Sequence, residues 1–150
     1  MTIISLDSGP LSLVTQQRGA IEADACKQWL AGHLARGTRV VVPEIVEYEL
    51  RRELLRAKKT RSLKRLDVFI AAETDRFIPL SRRAILKAAE LWAESRQKGL
   101  PTADPKELDI DVIQAAQLLT ANVDPNDLTV ATANVGHLSR FVRAEHWQRM

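Results

Sequence analysis

The chain is poor in cysteine, histidine and aromatic side chains, with one cysteine, three histidines and 5% aromatics. Each scarcity removes a class of explanation. A lone Cys26 forms no internal disulfide and supplies no multi-thiolate zinc site. Beside Trp29 and Leu30 it reads as a small buried hydrophobe. His33, His137 and His146 show no metal-pair spacing, and His33, near the apolar face of a helix, reads as a hydrogen-bonded packing residue. No run of about 18 apolar residues is present to span a bilayer. The first residues lack the basic segment and apolar stretch that mark secretion, so a cytoplasmic location with no membrane partner is expected. Internal repeats and low-complexity tracts are absent too.

What is present is ordinary globular material: 150 residues, 45% hydrophobic and 27% charged, enough for one domain over residues 1–150 with one core. The net charge is only +3, but its distribution is uneven. Arg51, Arg52, Arg56, Lys58, Lys59, Arg61, Lys64 and Arg65 crowd one segment, opposed only by Glu53. Such a cluster is an electrostatic footprint for phosphate backbones. A charge run taken alone is more often a solvated helical face.

The chain opens on an apolar run, Ile3 to Leu6, that stops at Asp7 and is followed by Ser8, Gly9 and Pro10. This reads as a buried strand ending in a carboxylate, with Gly9 and Pro10 turning the chain, the proline pre-setting φ for a turn or a helix start. The carboxyl ends of parallel strands form the binding edge of an α/β sheet. Asp7 therefore faces a ligand or caps the following short helix, and the stretch itself favours neither. Ala23 to Ala35 predicts a helix ended by Gly37. Thr38 to Val42 predicts a second strand, and Pro43 opens a helix over about Glu44 to Ala57. On that helix either Glu49 or Glu47 borders the apolar stripe of Val46, Leu50 and Leu54. Thr60 is expected to cap a further helix bearing Leu63, Leu66 and Ile70.

Arg76 to Leu80 fits a third strand, and Ser81 caps the helix holding Ala84, Ala88, Leu91 and Trp92. Gly99 and Pro101 close that helix, and Pro101 to Glu107 reads as a loop. The next helix, about Leu108 to Ala121, carries Asp109 and Asp111 near its start. Acids are favoured in a first turn electrostatically, but Asp111 also leaves from a largely apolar face and would need a partner there. Leu128 to Thr132 is the last clear strand and ends at Asn134. Phe141, Val142 and Trp147 are candidates for an edge strand, a type that the pattern leaves open. Strands and helices alternating along the whole chain predict a three-layer α/β/α fold around a mainly parallel sheet. In such a sheet Asp7, Glu49, Asp111 and Asn134 can meet at one edge. Carboxylates gathered there repel one another unless a cation neutralises them, and oxygen-only donors suit Mg²⁺ or Mn²⁺ rather than zinc.

At this point the chain resembles a known family. Ile-Ser-Leu-Asp-Ser, Val-Val-Pro-Glu-Ile-Val-Glu-Tyr-Glu-Leu, Asp-Val-Ile-Gln-Ala-Ala and Leu-Thr-Val-Ala-Thr-Ala-Asn occur in the order of PIN domains, as in the toxins of VapC-type toxin–antitoxin pairs. The resemblance places the family's acids on Asp7, Glu49 and Asp111, with Pro43 setting a register that passes over Glu47. It leaves Asp109, Ser8 and Thr132 as auxiliary residues. The fourth position, often aspartate in the family, is Asn134 here, which offers a carbonyl oxygen but no charge and weakens the case for a second ion. The resemblance implies a ribonuclease using Mg²⁺ or Mn²⁺, in which a metal-activated water attacks an RNA phosphodiester in line. Asp7 and Asp111 would be the main ligands, and Glu49 would hold the ion or its waters. It also implies a cognate antitoxin partner and a homodimer. Arg51, Arg52, Lys58, Lys59 and Arg61 become candidates for RNA binding or for an acidic antitoxin tail. Two rivals remain: a PIN-like module that grips RNA or protein without cutting, for which Asn134 speaks, and a receiver-type domain. The second lacks its paired acids after the first strand and its late lysine.

Overall fold

A computed structural model describes residues 1–99 and 105–150. Four of its strands follow apolar or β-branched runs: β1 (Ile3–Leu6), β2 (Arg39–Pro43), the two-residue β3 (Phe77–Ile78) and β4 (Leu128–Thr132). The short β5 (Ala144–His146) completes a sheet of order β3-β2-β1-β4-β5, every pair parallel. The helices are α1 (Ser8–Thr15), α2 (Ile21–Ala35), α3 (Glu44–Arg56), α4 (Thr60–Ala71), α5 (Arg82–Gln97), α6 (Pro105–Thr120) and α7 (Val135–Leu138), and a 3-10 turn spans Trp147–Arg149.

Strand periodicity divides the core into layers. Ile4, Leu6, Val40, Val42 and Ala131 face one side, where Leu11, Cys26, Leu30, Val46 and Leu66 of α1 to α4 cover them. Ile3, Val41, Leu128 and Val130 face the other side and pack with Leu118 of α6 and Leu138 of α7. α5 lies outside α6 through Ala88 and Leu91 against Val112, Ala115 and Ala116. Cys26 is a buried free thiol, as its neighbours predict; burial, with Glu22 adding to it, pushes its pKa up to about 12. His33 packs edge-on against Trp29 with ring centroids 5.2 Å apart. No described helix is long and apolar enough to cross a membrane.

Several boundaries differ from the sequence reading, each for a local reason. Of the turn and the helix start open to Gly9 and Pro10, the structure has the helix start. They lie inside the first turn of α1, where the missing proline N–H would have had no intrahelical partner. Thr60 does not cap α4, since the N-cap position is Lys59 and makes no side-chain bond. The third strand shrinks to Phe77–Ile78, since Pro79 has no N–H to extend the ladder and Leu80 N donates to Glu44 instead; Arg76, just before it, is buried against the Phe69 ring, its guanidinium 4.2 Å from the ring centroid and donating to the Phe69 carbonyl at 2.8 Å. The expected loop at Pro101 to Glu107 gives way to α6 from Pro105 onward, while Pro101 and the rest of 101–104 lie outside the described residues. The last edge strand is Ala144–His146, after Phe141 and Val142 and before Trp147. Ser81 caps α5 as expected, its Oγ accepting from Ala84 N at 3.1 Å.

Leu6 is fully buried in the central strand. Leu6→Ala should therefore cost about 2–5 kcal/mol in urea unfolding, whereas Leu86→Ala, on the exposed side of α5, should stay within about 0.5 kcal/mol.

Candidate functional site

The strand order creates the site. After β1 the chain builds β2 and β3 on one side, then returns to build β4 and β5 on the other. The crevice beyond the carboxyl ends of β1 and β4 is thus a topological switch point. Leu6 pairs with Ala131, so Asp7 and Thr132 leave the sheet side by side. Asp7 N still donates to Ala131 O at 3.0 Å, extending the ladder to the carboxylate itself.

Asp7 both caps and faces the cleft. Its Oδ1 accepts from Ser8 N at 2.9 Å, capping α1, and its Oδ2 accepts from the Thr132 hydroxyl at 2.6 Å. A carboxylate carries about four acceptor positions, so two remain open toward the cleft. Thr132, fully buried, also accepts from Asn134 N at 2.8 Å. One hydroxyl thereby sets both the carboxylate and the loop after β4. Asn134 precedes α7 without a side-chain capping bond, which leaves its carboxamide at the rim.

α6 brings the next acid. Leu118 shares a core cluster with Ile3 at the start of β1, whereas Asp111 lines the cleft with Asp7 just past its end. The helix therefore runs antiparallel to the strand. Seven helical residues rise about 10.5 Å and four strand residues about 13 Å, close enough to level the two acids at the sheet edge. Because α6 starts at Pro105, Asp109 and Asp111 lie beyond its first turn, and a first-turn preference does not account for them. Asp109 is exposed and Asp111 half-buried.

α3 contributes Glu49, half-buried beside the covered Leu50. Two contacts anchor the start of this helix. Gln117 of α6, almost wholly buried, accepts from Ile45 N at 3.0 Å and donates to Ile78 O at 3.0 Å. Glu44 accepts from Leu80 N at 2.7 Å. Gln117 thus caps a helix whose own N-cap residue, Pro43, has no side chain able to do so. Glu47 lies elsewhere: burial raises its pKa, Arg51 at 3.7 Å opposes that, and it does not line the cleft.

The resulting cleft encloses about 400 Å³ and brings together Asp7, Ser8, Glu49, Asp111 and Asn134. Asp109 is not among its walls. Three residues in it escaped the sequence reading. His137 Nδ1 stands 3.8 Å from Asp111 Oδ2, Ser12 extends the α1 wall, and Glu53 is neutralised by Arg56 at 2.9 Å. The i+3 spacing of Asn134 and His137 through a short helix was the available signal for the histidine. Among the described residues neither Asp7 nor Glu49 forms an ion pair, and no group of three or more His, Cys, Asp or Glu side chains is arranged to hold a metal ion. The oxygen-rich donor set fits a hard divalent cation that keeps most of its water and takes one or two carboxylates. It does not fit a cage of three directly bound acids.

The basic candidates separate. Arg51 is committed to ion pairs with Glu47 and Asp67 and lines neither the acid cleft nor the recess beside it. Arg52 stands at the acid cleft with its guanidinium 5.3 Å from the Tyr48 ring centroid. Lys58, Lys59 and Arg61 line a separate recess.

The family model described as PIN domain matches residues 4–134. No curated protein sequence matches the chain. Among solved structures, VapBC2 from Rickettsia felis bound to a DNA fragment from its promoter is similar at 21% identity and a TM-score of 0.68, over 97% of this chain and 99% of that one. FitAcB from Neisseria gonorrhoeae is similar at 18% identity and a TM-score of 0.66, over 98% and 99%. VapBC-1 from nontypeable Haemophilus influenzae is similar at 15% identity and a TM-score of 0.62, again over 98% and 99%.

Thr132→Val removes a donor to Asp7 and an acceptor for Asn134 N without changing the side chain's shape. It should cost about 1–3 kcal/mol in urea unfolding, and Thr132→Ser, which keeps the hydroxyl, should recover most of that loss.

Proposed function

We propose a function from one premise: the chain belongs to the PIN domain family. PIN domains are generally nucleases that use divalent metals, and we read this one, over residues 1–150, as a metal-dependent endoribonuclease, the toxin of a toxin–antitoxin pair. The observation that carries the reading is the meeting of Asp7, Glu49 and Asp111 in one cleft. A surface built merely to grip a polyanion gains nothing from clustered carboxylates.

In this reading Asp7 and Asp111 would hold Mg²⁺ or Mn²⁺, and Glu49 and the Asn134 carbonyl would orient water beside it. When bound, the cation lowers the pKa of water and offsets charge on the phosphate oxygens. The chain's own residues supply order. Thr132 and Ser8 N hold the Asp7 carboxylate in one orientation, and Gln117 holds α3, and with it Glu49, against α6. Arg52 at the cleft and the cations of the neighbouring recess attract the RNA. Such preorganisation means that little is rearranged when the phosphodiester arrives.

The antitoxin is read onto a second surface. A groove of about 700 Å³ between the end of α1 and α4 has Val14, Val68 and Phe69 as its floor and Arg18, Lys27 and Lys64 along its rim. Val68 is 70% exposed there. An apolar floor under a basic rim suits an amphipathic segment with acidic flanks. The homodimer is proposed on the family resemblance alone.

Purified protein incubated with total RNA should cut it when Mn²⁺ is supplied and stop when EDTA is added. Asp7→Asn and Asp111→Asn should each lower the rate by at least about a hundredfold, in line with the loss of electrostatic catalytic groups, with unchanged circular dichroism. Cleavage persisting in EDTA or in either folded variant would defeat the proposal.

A further inference from the structure

Next to the acid cleft lies a larger recess, about 600 Å³, between the end of α1 and the α3–α4 connection. Its walls carry Lys58, Lys59, Arg61 and Arg65 and no acid. Among the described residues Lys58, Lys59 and Arg61 form no ion pair, in contrast to Arg51 and Arg56 of the same segment. Arg65 is fixed as part of the wall, donating to Thr15 O at 2.6 Å and Ser62 Oγ at 3.0 Å. Three cations turned into one concavity repel each other, and an anion there relieves the repulsion.

The recess and the cleft share one wall residue. Ser12 lines both cavities, so a chain crossing that residue passes from a cationic compartment to an acidic one. The remaining polar walls are hydroxyls and amides, from Thr15, Gln16, Gln17, Thr60 and Ser62. Among the described residues of its walls the only large apolar side chain is Leu54, and none is an aromatic ring on which a base could stack. Charges and hydroxyls without a stacking platform recognise phosphate and ribose, not base identity.

We infer that this recess is a subsite for the sugar–phosphate backbone of an RNA strand, holding nucleotides that flank the one in the acid cleft and doing so without regard to sequence. The inference rests on reading the cleft as a nuclease site. It assigns the recess attraction and register, and leaves discrimination among RNAs to other surfaces. Arg51, locked between Glu47 and Asp67, takes no part.

The test measures binding apart from cutting. In the Asp111→Asn background, fluorescence anisotropy with two labelled single-stranded RNA 12-mers of unrelated sequence is recorded across a salt series. Lys58→Ala, Lys59→Ala and Arg61→Ala combined should weaken both RNAs by about tenfold or more. The slope of log affinity against log salt should become shallower by about 2, at roughly 0.7 for each phosphate no longer neutralised. The charge-preserving Lys58→Arg and Lys59→Arg pair should bind like the parent, which separates charge from folding. An unchanged affinity and slope in the triple alanine variant, or a weakening confined to one sequence, would overturn the inference. So would a variant that loses binding to a poly-glutamate peptide while keeping RNA. Failure of the nuclease reading shows separately, as absence of cutting by the unmodified protein with Mn²⁺, and leaves the binding comparison intact.

Discussion

Parallel pairing of β1 on both of its edges is the constraint from which the rest follows. A strand held between β2 and β4 has no free edge, and parallel neighbours cannot be joined by tight hairpins. Each connection must cross over a face of the sheet, which puts α1 to α4 on one side and α5 to α7 on the other. The strand carries no charged side chain up to Leu6 because both of its faces are covered. The first residue able to carry charge is the one just outside, Asp7. Fold and chemistry thus share a boundary one peptide bond wide.

Bringing acids to that boundary is costly, since like charges in one cleft repel. The structure meets the cost with fixed dipoles and packing. Asp7 receives a backbone N–H and a hydroxyl, Glu53 is turned to Arg56, and His137 sits near Asp111. The helices bearing the other acids are tied together by Gln117, a polar side chain that would be expensive to bury without its two partners. The neighbouring basic recess complements the cleft in sign, so one end of the molecule presents opposite charges on either side of Ser12.

Much of this is legible in the residues. β1, β2 and β4 are visible because doubly covered strands read as short β-branched runs, and α3 is visible because Pro43 precedes a regular apolar stripe. Asp7, Glu49 and Asp111 can be nominated because strand ends and helix faces limit where an acid is able to point. Glu49 is separated from Glu47 only by resemblance, since both border the stripe; the cleft includes the first and the flank holds the second. What stays hidden is non-local. Nothing around Gln117 announces that it caps a helix 72 positions earlier. The commitment of Arg51 to Asp67 depends on how α4 folds back on α3. The two-residue β3 is shorter than its pattern predicts because Leu80 N is taken by Glu44, 36 positions earlier on α3.

The Thr132–Asp7 contact joins residues 125 positions apart, and this has a temporal meaning. The amino-terminal acid is made first, and its hydroxyl partner follows 125 positions later. Until then β1 has no neighbour on its β4 side, and the crevice has only one bank. A chain that has not yet formed β4 therefore holds Asp7 without the partner that fixes its carboxylate, so arrival of the late strand is the event that completes the crevice.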